Sequence, residues 1–210
     1  DDIRVGNEAF ATLCKPMEAE QARLVANKKK QWNPRKVFLT GNHCHRITRA
    51  VNSSPKLAGA IGLHHLDTRD FERHAFLERV WIDGILYSHY FQSSHSHHAI
   101  GGSIDSMLNK IGASFIQGHR QGFQYGTRIQ GSGATWHGLV AGSCYLHQEF
   151  YRGAQGQRHW RGIVVLNEVE NGVYCIMPLT LDYLCRKFTG MKLIAYMEKK
   201  YPKGDWRHLA

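Results

Sequence analysis

Three short polar clusters stand directly behind runs of β-prone residues. Thr40-Gly41-Asn42-His43 follows Val37-Phe38-Leu39, Ser88-His89 follows Ile85-Leu86-Tyr87, and Gln117-Gly118-His119 follows Phe115-Ile116. Imidazole nitrogens and amide oxygens are ligands for divalent transition ions, and histidine titrates near neutral pH. Such a set therefore suits metal binding and acid–base work. In layered α/β proteins the loops at strand ends bring side chains from several strands to one ligand. Each cluster alone carries little, because Gly-Asn-His and Gly-His are common around glycine turns and a single histidine beside an apolar run is ordinarily a packed or surface residue.

The elements that must position these clusters can be read from the pattern around them. Residues 5–31 are rich in helix formers and interrupted at Pro16, which predicts two short helices or one kinked one before Asn33-Pro34. Residues 36–40 form a short β-prone run into Gly41, and 67–78 have helical character. Asp83-Gly84 between Val80-Trp81-Ile82 and Ile85-Leu86-Tyr87 predicts a hairpin, as does Asn171-Gly172 between residues 161–169 and 173–177. A helix over 103–110 precedes a strand over 113–117, and a last helical stretch over 181–200 is broken at Gly190. The order predicts one α/β domain over residues 1–210, built on a two-sheet mixed β-sandwich flanked by helices.

Taken in order, Gly41-Asn42-His43, His89 and Gly118-His119 resemble the last three motifs of the calcineurin-like metallophosphoesterases: Gly-Asn-His-(Asp or Glu), a lone His, and Gly-His-x-His. Ala141-Gly142-Ser143 resembles the Gly-Ser strand turn that follows in that family, so the likeness spans roughly residues 36–178. The resemblance implies a two-metal hydrolase of phosphate esters. Asn42, His89 and His119, with Gln121 where the second His of Gly-His-x-His stands, would belong to one metal half-site for Mn²⁺, Fe²⁺, Zn²⁺ or Ni²⁺, with Mn²⁺ favoured. His43 would contact the phosphate or protonate the leaving oxygen, and Arg46 could add a bidentate phosphate contact. Paired cations would stabilise charge on the phosphoryl oxygens during in-line displacement.

The sequence also departs from that pattern. Cys44 stands where the family has Asp or Glu, which removes a carboxylate that would orient His43. No Asp-x-His occurs, and no Gly-Asp-x-x-Asp precedes Gly41; the Gly204-Asp205 pair near the C-terminus reads as chance. Without a bridging carboxylate, two close cations repel with little compensation, so the chain as written is expected to bind one ion and to be impaired. The expectation is a domain cut at its N-terminus, which opens at Asp1-Asp2-Ile3-Arg4 without methionine. The alternative is a catalytically inactive phosphoesterase-fold module that binds nucleic acid or assembles with a partner.

Other clusters invite chemistry with bland readings beside it. His95, His97 and His98 could form a second metal site but read better as an exposed loop, and His64-His65 as a surface pair. Arg120 faces either substrate phosphate or solvent. Cys44, flanked by His43 and His45, has the neighbours of an activated thiol, although adjacent residues on an extended loop point apart. Trp136, Tyr145, Phe150, Tyr151 and Trp160, interleaved with Arg152, Arg158 and Arg161, could stack bases or simply fill core strands.

A formal charge of +10 favours polyanionic partners, which makes a phosphorylated small molecule or nucleic acid the expected substrate. Five cysteines without a Cys-x-x-Cys pair suggest reduced thiols and a cytoplasmic setting. The longest apolar stretches are far too short to cross a bilayer.

Overall fold

The computed structural model describes residues 2–149 and 153–209, and the chain divides into two compact units, Asp1–Glu78 and Arg79–Ala210. Phe150, Tyr151 and Arg152, part of the aromatic and basic series noted above, lie outside the described residues.

In the first unit, α1 spans Asp2–Ala26, β1 Val37–Leu39, α2 Asn42–Ser53 and β2 Glu72–His74. α1 runs through Pro16 as one helix. The cost of the proline is the missing N–H that would have reached the Thr12 carbonyl. Phe10 of α1 holds the helix to its neighbours, with its ring 5.8 Å from that of Phe38 and 5.0 Å from that of Phe71. β1 and β2 pair in parallel with Phe38 opposite Arg73. The helix expected over 67–78 is therefore a strand and turns. Ion pairs from Arg35 to Glu72 and from Lys36 to Asp70 fasten this polar segment beside β1, so a non-local partner overrides local propensity.

The second unit carries a five-stranded mixed sheet in the order β3-β4-β5-β7-β6. Its strands are β3 Val80–Ile82, β4 Ile85–Ser88, β5 Phe115–Gln117, β6 Phe123–Ile129 and β7 Thr135–Ala141. β4, β5 and β7 run parallel, while β3 and β6 close the two sides antiparallel. α3, Ile104–Ile111, connects β4 to β5, with Ser103 accepting from Ser106 N–H at its start and Gly112 left-handed at its end. It buries Ile104, Met107 and Leu108 on a core of Leu86, Phe91, Phe115 and Val140. Gly138 is small for this reason: a Cβ there would meet Ile104 at 2.7 Å and Phe115 at 2.8 Å.

After the one-turn helix α4, Gly153–Gly156, come β8, Gly162–Glu170, and β9, Val173–Thr180, an antiparallel pair forming its own sheet. Both hairpins form at the dipeptides that predicted them. Asp83 and Gly84 have φ of +50° and +79°, Asn171 and Gly172 of +51° and +84°, the left-handed pairs that a two-residue hairpin loop requires. β9 packs Tyr174 against His137 of β7 and Tyr125 of β6, at centroid distances of 4.7 and 6.2 Å. α5, Leu181–Thr189, and α6, Leu193–Lys200, follow and are separated at left-handed Gly190 as expected. The protein is thus a mixed α/β chain, with one five-stranded mixed sheet and two two-stranded sheets among the described residues. No described helix is long and apolar enough to cross a membrane.

Candidate functional site

β4 and β5 are adjacent and parallel, with Ser88 in register with Gln117. Their C-terminal ends therefore open on the same edge of the sheet, and the next residues, His89 and Gly118-His119, emerge side by side. Nδ1 of His119 lies 3.2 Å from Nε2 of His89, and the rings meet edge to face at 5.0 Å and 72°. Tyr90 covers the pair, its ring centroid 4.7 Å from that of His119 and 5.8 Å from that of His89. Buried Ser88 fixes the turn beneath them by donating its hydroxyl to the Tyr90 carbonyl at 3.0 Å. Tyr90 is a contact that sequence reasoning missed, since an aromatic residue after a histidine carries no signal of its own.

His119 sits at φ +62°, and the Arg120 N–H closes a three-residue turn onto the Gly118 carbonyl at 2.7 Å. This is the rare, strained hand of the γ-turn. A non-glycine residue held there costs about 1–3 kcal/mol. Glycine would sit there without Cβ strain, yet the position carries an imidazole.

Two nitrogens that each lie about 2.0–2.1 Å from one tetrahedral ion are about 3.3 Å apart. The observed separation of 3.2 Å is that of a hydrogen bond between the two rings, and it is also close to the spacing of two nitrogen ligands on a single divalent ion. Among the described residues there is no group of three or more His, Cys, Asp or Glu side chains that could hold a metal. Further ligands would have to be amides, backbone or water. Gln121 donates its Nε2 to the Tyr145 hydroxyl at 2.5 Å, which leaves the amide oxygen as its ligand atom. Gln117, 2% exposed at the end of β5, has a buried Oε1 without a hydrogen-bond partner. Arg120 donates to the Gly102 carbonyl at 3.2 Å, which ties the turn to the start of α3.

In the first unit, Thr40 ends β1 with its N–H and hydroxyl both on the His74 carbonyl, at 3.2 and 2.6 Å. α2 begins directly after Gly41, which has extended dihedrals and gives no side-chain cap. The extended loop expected around Asn42-His43-Cys44 is thus the first turn of a helix. His43 and Arg46, three residues apart, share one exposed face, and Asn42 is partly buried. The first turn has no acidic residue, so its positive end is uncompensated by a local carboxylate and suits an anion. His45 stacks on Phe76 at 4.6 Å and 19°.

His95 and His98 are exposed and line a cavity of about 600 Å³ with Arg79 and Lys110; neither His89 nor His119 lines it. Gly142 follows β7 at φ +72°, where a Cβ would meet the Trp160 ring at 2.6 Å, and Ser143 donates to the Trp160 carbonyl at 3.3 Å. Asp205 is paired with Arg207 at 2.6 Å. Comparison of the chain with known protein families, curated proteins and solved structures finds no match.

Proposed function

We propose that the chain is a metal-dependent phosphoester hydrolase of calcineurin-like kind, built on that family's two-sheet sandwich, in which His89 and His119 hold a divalent cation, Mn²⁺ by preference. The observation that carries the reading is the 3.2 Å approach of the two ring nitrogens at the ends of parallel strands. It is supported by the strained backbone that keeps an imidazole at residue 119. When bound, the ion supplies Lewis-acid stabilisation of charge on the phosphoryl oxygens.

The chain's own groups supply the rest. By the family resemblance His43 is the donor of a proton to the leaving oxygen, and Arg46, on the same helix face, a fork for phosphate oxygens. Asn42 is assigned to the metal by the family resemblance. Gln121 is assigned to the metal through its amide oxygen, its amide nitrogen being on the Tyr145 hydroxyl. The net charge of +10 favours nucleotide or nucleic-acid phosphodiesters as substrates. Five free cysteines suit a cytoplasmic setting.

The test is hydrolysis of bis(4-nitrophenyl) phosphate with and without Mn²⁺, with His43→Ala and His119→Ala beside the parent. Weak activity that requires Mn²⁺ and is lost in both variants is expected, in keeping with a half-site that holds one ion. A folded, inactive parent that binds nucleic acid in a salt-sensitive way would establish the alternative, a binding module on the same fold. The net charge of +10 serves that second reading as well.

A further inference from the structure

Arg161, the residue before β8, is 8% exposed and carries a guanidinium with no carboxylate paired to it among the described residues. Its Nε donates to the Tyr145 carbonyl at 3.0 Å and Nη1 to the His159 carbonyl at 3.3 Å, while Nη2 is buried and has no hydrogen-bond partner. Burial pulls its pKa below the usual arginine value. Neutral carbonyls offset only part of the cost of removing a full charge from water, and a buried charge of this kind is retained where something else completes it.

Arg161 lines a cavity of about 290 Å³ together with Arg158, Thr180, Asp182, Leu193 and His208. Most of its polar groups are already engaged. Asp182 accepts from Leu193 N–H at 2.9 Å and pairs with Arg186 at 3.0 Å. His208 uses both ring nitrogens, on Gln148 at 3.1 Å and on the Leu146 carbonyl at 2.7 Å. Thr180 caps α5 by accepting from Tyr183 N–H at 3.1 Å. Two uncommitted groups are cationic, Nη2 of Arg161 and exposed Arg158, whose side chain has no hydrogen bond or ion pair among the described residues; His159 also lines the cavity, with Nδ1 on the Gly156 carbonyl at 3.1 Å.

We propose that this cavity binds a small organic oxyanion, a phosphate or carboxylate that accepts from Arg161 Nη2, shares its charge with Arg158 and rests a short apolar body on Leu193. A guanidinium already held by two carbonyls loses little freedom on binding, which favours recognition of an oxyanion over a merely diffuse attraction. Neither His89 nor His119 lines the cavity, so the site is independent of the proposed hydrolase chemistry.

The experiment is calorimetric titration of the chain with phenyl phosphate and, separately, with benzoate, in EDTA so that no metal-borne phosphate binding contributes. Saturable binding of one or both is expected, and the tighter ligand names the preferred acid group. Arg158→Gln is expected to weaken binding about tenfold, and Arg161→Met to abolish it while melting no lower than the parent in ligand-free buffer. Absence of saturable binding of both ligands overturns the proposal. So does parental affinity in Arg158→Gln, an exposed substitution that leaves the fold intact and decides the matter even if Arg161→Met fails to fold.

Discussion

His89 Nε2 and His119 Nδ1 come within 3.2 Å of each other across 30 residues of sequence, because β4 and β5 are hydrogen-bonded neighbours running the same way. The relationship is topological before it is chemical. A helix, α3, carries the chain from the end of β4 to the start of β5, which makes the strands parallel and puts both exits on one edge. Ligands gather at such edges in α/β sheets.

If the pair holds an ion, it does so as a chelate, and removing one ring should cost much of the affinity. His89→Ala and His119→Ala are each expected to weaken Mn²⁺ or Zn²⁺ binding by about 10–100-fold, with the double variant little worse than either single one. Titration calorimetry measures this directly. Protons compete for the same nitrogens, so affinity should fall as the solution is acidified. Equal affinity in the parent and both variants would place the ion elsewhere.

The strain at His119 gives a stability prediction separable from binding. At φ +62° an alanine keeps the Cβ penalty and a glycine does not. His119→Gly is therefore expected to be more stable than His119→Ala by about 1 kcal/mol. Urea melts of the two variants decide it. Both should lose the ion equally, because neither has a ring.

What the sequence made legible follows from where the determinants lie. Asp83-Gly84 and Asn171-Gly172 revealed their hairpins because a two-residue loop needs positive φ at both positions, a demand local to the dipeptide. The polar clusters behind β4 and β5 were equally visible. That β4 and β5 are neighbours was not, because strand order depends on partners far along the chain. β2 was misread as helix because Glu72-Arg73-His74 has no apolar alternation; it pairs with β1 alongside the contacts of Arg35 and Lys36. The left-handed backbone at residue 119 was invisible for a simpler reason: the sequence signal for positive φ is glycine, and the glycine stands one residue earlier.

His74 should make the first unit sensitive to pH from two sides. Its ring is held by Glu78 at 2.7 Å and Glu72 at 2.8 Å, which raises its pKa, the Glu78 hydrogen bond first. Stability from a raised histidine is complete below about 6.5 and lost as pH rises through the folded value. Glu72 moves the other way, pulled from 4.5 to about 2, chiefly by its hydrogen bonds to Arg35. Its contribution is complete above about 4.5 and lost as pH falls towards 2. Melting temperature should thus be highest between about pH 4.5 and 6.5. His74→Gln is expected to flatten the alkaline limb and leave much of the acid limb, to which Glu72 and Arg35 contribute.

The two hairpin turns of the second unit meet backbone to backbone, and this contact makes the severest packing prediction. Gly172 N–H donates to the Asp83 carbonyl at 2.9 Å. A Cβ on Gly172 would lie 2.5 Å from the Gly84 carbonyl oxygen and 3.1 Å from Ser114 Oγ; one on Gly84 would lie 2.6 Å from Asn171 C and Gly172 N. These neighbours are mostly backbone, so they cannot rotate away as a flexible side chain would. An alanine at either position also bears the left-handed strain of about 1–2 kcal/mol, and the clash adds about 1–3 kcal/mol. Gly172→Ala and Gly84→Ala are each expected to destabilise the protein by about 2–5 kcal/mol in denaturant melts. Gly133→Ala serves as the control: it has φ +85° but nothing within 4 Å of the added methyl, so it should lose the strain term alone. A Gly172→Ala loss no larger than that of Gly133→Ala would mean that the two turns do not bear on each other.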